Sequence, residues 1–168
     1  MIAKVLVLGG LLLAAPAFGH AAEVTRSYAS PQAVIAGSVT VPAGYDTVYF
    51  SGVLPAVADP AAGKGTIASY GDTETQTASV LARINEGLKA HGLGPADVVK
   101  MTVFLVGDPA AGGKLDFAGM MRAYGKIYGT AEQPNRPARS TVQVAGLAGP
   151  GFLVEIEVIA AKPPKAIR

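Results

Sequence analysis

The chain has 168 residues, half of them hydrophobic and 15% charged, with a formal charge of +2, or +1 once Lys4 in the apolar N-terminus is set aside. That is long enough for one domain with a real core and too apolar for a disordered chain. The near-neutral balance argues against a nucleic-acid surface, and the lack of cysteine removes disulfide and thiol chemistry.

In chain order, residues 1–21 read first, as an export signal. Lys4 is a minimal positive start, and Val5 to Phe18 is apolar but broken by Gly9, Gly10 and Pro16. Small residues then permit cleavage after Gly19 or Ala21. The run is too short and glycine-rich to span a bilayer comfortably. The expectation is a single domain over residues 22–168, periplasmic or secreted from a bacterium, with no stable membrane association.

Residues 23–45 are polar, with a strand expected over Val34–Val41. Thr47–Gly52 is a second strand, rich in β-formers, with Val48 and Phe50 on one face and Thr47, Tyr49 and Ser51 on the other. After a loop of Ala, Gly, Pro and Asp, a helix follows. Thr73 and Gln76 have capping-box spacing, and Asp72 is an alternative N-cap. Ala78, Leu81, Ile84 and Leu88 recur at helical spacing, and Gly92 sits where a C′ glycine belongs.

Asp97–Val106 is the third strand, with Val99, Met101, Val103 and Leu105 facing the core. A second helix is expected from Lys114 to Tyr128, with an apolar stripe of Phe117, Met120, Met121, Tyr124, Ile127 and Tyr128. Pro137–Val144 and Leu153–Ala160 both alternate with period 2, and the short break between them predicts a β-hairpin. The order β-β-α-β-α-β-β predicts an α+β layer: a mixed sheet with two helices on one face.

The sheet face away from the helices should then carry Tyr49, Ser51, Lys100, Thr102, Phe104, Arg139, Thr141, Gln143, Glu155, Glu157 and Ile159. Its mixture of Thr, Phe, Ile and Tyr with charged groups suits burial in an oligomer. Arg139 and Glu155 are its most informative pair. An arginine fork grips a carboxylate through two charge-assisted hydrogen bonds, and a glutamate can hold or deprotonate water. The same pair also reads as a structural ion pair.

Other chemistries fit poorly. Glu155 and Glu157 lie two apart on one strand, against a glycosidase pair. Ser51 lies in Phe-Ser-Gly without an elbow or an activating histidine. No cluster of His and carboxylates suggests zinc. Gly63-Lys64-Gly65-Thr66 lacks phosphate-loop spacing.

Six stretches carry a resemblance. They are Tyr49-Phe50-Ser51-Gly52, the helix around Gln76-Thr77, Asp97 to Leu105, Asp116-Phe117-Ala118, Pro137 to Val144, and Glu155 to Ala160. In order and spacing they resemble the RidA/YjgF family over residues 46–161. The resemblance implies a chorismate-mutase-like α+β fold and a homotrimer with three clefts between subunits. It implies hydrolysis of reactive 2-imino or enamine acids to 2-keto acids and ammonia, without metal or cofactor. By the same resemblance, Arg139 grips the substrate carboxylate and Glu155 orients water. Ser51, Gly52 and Thr141 shape the pocket, and Met121 stands there where the family has asparagine. The tyrosine of the family's N-terminal Pro-Tyr-x-Gln segment has no evident counterpart. The alternative is a non-catalytic binder of small carboxylates, or a holdase. RNA cleavage, reported for some relatives, fits the charge poorly.

Overall fold

The computed structural model describes residues 22–164, so the expected export signal lies outside the described residues. Among them no helix is long and apolar enough to cross a membrane. The N-terminal segment forms β1 (Thr25–Ser27) and β2 (Ser38–Thr40), a small antiparallel ribbon. Sequence patterning missed β1, and the strand expected over Val34–Val41 contracts to β2 with one bridge from Ala36 to Ala138.

The main sheet has four strands: β3 (Asp46–Val53), β4 (Val98–Val106), β5 (Ala138–Val144) and β6 (Val154–Lys162). Their spatial order is β3-β6-β4-β5. β6 runs antiparallel to both its neighbours, and β5 lies parallel to β4 at the edge. The expected hairpin of the last two strands therefore does not form: β4 is inserted between them. A parallel neighbour needs a crossover, which the helical connection from β4 to β5 supplies.

The helices α2 (Thr73–Ala90) and α3 (Phe117–Tyr124) pack on each other and on one face of this sheet, preceded by the single turn α1 (Ile67–Tyr70). The α+β layer is as patterning predicted. α3 is shorter than the expected Lys114–Tyr128, because Asp116 caps its start and Gly125 ends it. The core joins Val80, Leu81, Ile84 and Leu88 of α2 to Met101, Val103 and Leu105 of β4 and Ile156 and Val158 of β6. Each such side chain stabilises the fold by about 1.5–3 kcal/mol.

The ends of α2 show how local chemistry sets the helix. At its C-terminus Gly92 takes φ +71° while Leu93 N–H donates to the Leu88 carbonyl, closing the last turn. At its N-terminus Asp72 accepts from Thr75 N–H at 2.8 Å. That backbone hydrogen bond holds its carboxyl below the usual aspartate range. Thr73 and Gln76 do not form the capping box. Instead Gln76 is fully buried and ties α2 to the loop before β6.

Asp72→Ala is expected to lower stability by about 1 kcal/mol, read as a fall of about 2–4 °C in thermal midpoint at neutral pH. The contribution belongs to the ionised form, so the deficit should shrink as pH falls through the depressed native pKa and the wild-type carboxyl protonates.

Candidate functional site

Strand register decides where each candidate side chain lies. In the β4–β5 pairing Met101 stands opposite Arg139, Val103 opposite Thr141 and Leu105 opposite Gln143. Opposed residues share a sheet face, so Arg139, Thr141 and Gln143 lie on the helix side. This corrects the expectation that all three face away from the helices. Val142, expected in the core, is 43% exposed on the other side, opposite Phe104.

The surroundings of Arg139 are unusual for a cation. Its Nη2 is 3.2 Å from Met121 Sδ and its Nη1 3.9 Å from Met120 Sδ. Its Cζ sits 4.3 Å from the centre of the Tyr124 ring and 5.8 Å from that of Phe117. Thioethers are weak acceptors, and ring faces attract the charge without using the donors of the fork. Burial pulls the Arg139 guanidinium below its ordinary value, yet an arginine stays charged. Burial likewise pushes the Tyr124 phenol up to about 12. The Tyr124 hydroxyl and Thr141 Oγ1 are buried without a partner.

Glu155 lies on the opposite side of the sheet. It stands opposite Phe104 and beside Gly52, where any Cβ would overlap its Oε1. Gly52 is thus required by the close approach of a carboxylate. Ser51, exposed next to it, lines a cavity of about 230 Å³ on this open face with Tyr49, Lys100, Thr102, Glu157 and Ile159. Lys100 Nζ donates to Ser140 Oγ at 3.0 Å across the same face.

The candidates therefore fall into two groups. Ser51, Gly52 and Glu155 share the open face; Arg139, Thr141 and Met121 share the helix side. Within one chain Arg139 and Glu155 do not form the ion pair that the sequence also allowed. The ion pairs among the described residues join Glu74 to Arg122 at 2.6 Å and to Lys126 at 2.9 Å. Among the described residues no three His, Asp or Glu side chains gather to hold a metal.

Sequence reasoning assigned Phe117, Met120 and Tyr124 to the core stripe of a helix and missed that they hold Arg139. The available signal was that Arg139 stands three residues before Val142 on β5, which puts the two on opposite faces of the strand. Polarity alternation alone placed it on the wrong side.

With this geometry in place, the chain can be set beside known proteins. The family described as endoribonuclease L-PSP matches residues 28–162. A RutC family protein of Pyrococcus horikoshii is 33% identical over 140 residues, covering 83% of this chain and 98% of that protein. Among solved structures, Escherichia coli TdcF with bound serine is 32% identical with a TM-score of 0.53, covering 73% of this chain and 84% of that one. A conserved Rid family protein of Yersinia pestis is 28% identical with a TM-score of 0.57, covering 76% and 86%.

Proposed function

The chain belongs to the endoribonuclease L-PSP family, which includes the RidA/YjgF proteins, and from that premise we propose that it hydrolyses 2-imino acids to 2-keto acids and ammonia. One observation carries the reading: Arg139 is a half-buried cation that meets no anion among the described residues, its fork facing thioethers and rings. A substrate carboxylate supplies the missing acceptors through two parallel charge-assisted hydrogen bonds. The related TdcF structure holds serine, a small molecule with such a carboxylate.

Because Glu155 lies on the other face of the same sheet, it reaches a ligand on Arg139 only from a second subunit. The homotrimer with clefts between subunits, inferred from the family resemblance, is an arrangement of that kind. The open face supports it, with Tyr49 76% and Val142 43% exposed. In the cleft Glu155 would hold water against the imine carbon and take its proton as the C–O bond forms. The resulting carbinolamine expels ammonia and leaves the keto acid. We place the reaction outside the cytoplasm on the apolar run of residues 1–21.

The test is ammonia release from imines generated in situ by an amino-acid oxidase. Glu155→Gln is expected to lower the rate by about 10²–10⁴-fold, the usual contribution of a positioned general base. Wild-type release no faster than the buffer would sink the reading. A second reading, carboxylate binding without turnover, draws support from Met121, whose thioether contacts Arg139 where the family has an amide. It predicts calorimetric binding of 2-keto acids with no ammonia release.

A further inference from the structure

Three residues before Arg139 stands a second arginine without an anion. The Arg136 Cζ lies 5.1 Å from the centre of the Tyr28 ring, and its backbone N–H donates to the Tyr28 hydroxyl at 3.1 Å. Its Nε passes so close to Gly129 that a Cβ there would come within 2.6 Å of it. Among the described residues no carboxylate pairs with it, since the ion pairs found are those of Glu74. A cavity of about 220 Å³ opens beside it, lined also by Val34, Met121, Tyr124, Tyr128 and Gly129.

This cavity adjoins the Arg139 site through shared walls, because Met121 and Tyr124 also hold the Arg139 guanidinium. Tyr124 is only 2% exposed and its hydroxyl has no partner. The fields of both arginines reach that phenol, and burial still keeps it neutral. Two guanidiniums and an unpaired hydroxyl therefore border walls on which no carboxylate stands among the described residues. A part-buried guanidinium without a counter-ion is unfavourable until an anion joins it. The bland account is that Arg136 simply stacks on Tyr28. Stacking, however, engages only the face of a guanidinium and leaves its N–H donors free in the plane. One carboxylate on Arg139 satisfies the first arginine and leaves the second unmet.

We propose that the cavity beside Arg136 is a second carboxylate subsite, so that the ligand is a 2-imino or 2-keto dicarboxylic acid held by Arg139 at C1 and by Arg136 at its far end. This inference rests on the carboxylate role of Arg139. Both carboxylates pass through the hydrolysis unchanged; water supplies the new carbonyl oxygen and ammonia leaves. The substrate would come from two-electron oxidation of an acidic amino acid.

The experiment is calorimetric titration of the protein with 2-oxoglutarate and with 2-oxopentanoate, equal in chain length and differing by the second carboxylate. Wild type is expected to bind 2-oxoglutarate tighter by about tenfold or more, as a charge-assisted contact gives. Arg136→Gln should erase that difference, and Arg136→Lys, which keeps the charge, should retain part of it. Equal affinities in wild type, or a preference that survives Arg136→Gln, overturns the dicarboxylate subsite alone. Binding of both ligands undiminished in Arg139→Gln overturns the role of Arg139, and the subsite with it.

Discussion

Arg139→Gln is expected to lower kcat/KM for imine hydrolysis by about 10²–10³-fold, the cost of breaking a charge pair at a desolvated site. The loss should appear mainly in KM. In the proposed reaction the carboxylate held by Arg139 is not the reacting centre, so its binding is nearly the same in the ground and transition states. Arg139→Lys should fall between, because it keeps the charge but not the planar fork. Stability should move the other way. In the free protein the guanidinium is half-buried against Met120, Met121 and Tyr124, with no anion among the described residues. Removing an unpaired, partly desolvated charge leaves the fold as stable or more so. Thermal unfolding of Arg139→Gln checks this: an unchanged or raised midpoint beside a raised KM marks a binding residue. A midpoint that falls, with KM unchanged, would return Arg139 to the role of a packing residue.

The same residue shows where sequence patterning stops. Alternation correctly found the core faces of β4 and β6, because Met101, Val103, Leu105, Ile156 and Val158 all turn inward. It does not say which strand lies beside which. A short break between two strands favours a hairpin only when no third strand competes, and here β4 claims an edge of each. Nor does alternation say which side is covered when both carry apolar groups. Val142 and Val144 looked like core beside Arg139 and Thr141, yet the open face holds Phe104, Val142 and Ile159 of its own. The pocket resemblance placed Arg139 and Glu155 in one site, and the register puts them on opposite sides of one sheet. The two statements are compatible in a cleft between subunits, which the resemblance implies and which we propose for the site. Gly52 became legible through contact rather than pattern, since its need for a bare Cα follows from the Glu155 carboxylate above it.

Gln76→Leu is expected to destabilise the fold by about 3–5 kcal/mol, the largest stability effect anticipated for one substitution here. Spacing suggested a cap, but the side chain points inward and is 0% exposed. Its Nε2 donates to the Gly71 carbonyl at 2.9 Å and to the Gly151 carbonyl at 3.0 Å, and its Oε1 accepts from Leu153 N–H at 2.8 Å. One amide thus joins the turn before α2 to the chain as it enters β6, 75 to 77 residues later. Leucine is close in size and fills the space, so the cost is not a cavity. It is the desolvation of a buried N–H and two carbonyls left without partners, each about 1–3 kcal/mol. Gln76→Glu separates the two halves of the effect. It keeps the acceptor for Leu153 but loses the donors and buries a charge between two carbonyls, so it should be at least as harmful as leucine at neutral pH. Acidification should then recover part of its stability, because the protonated acid regains one donor. Denaturant unfolding at neutral and acidic pH reads both outcomes. A loss for Gln76→Leu below about 1 kcal/mol would mean that water replaces the amide. β6 carries Glu155, the proposed general base, so loosening this clamp should also lower activity.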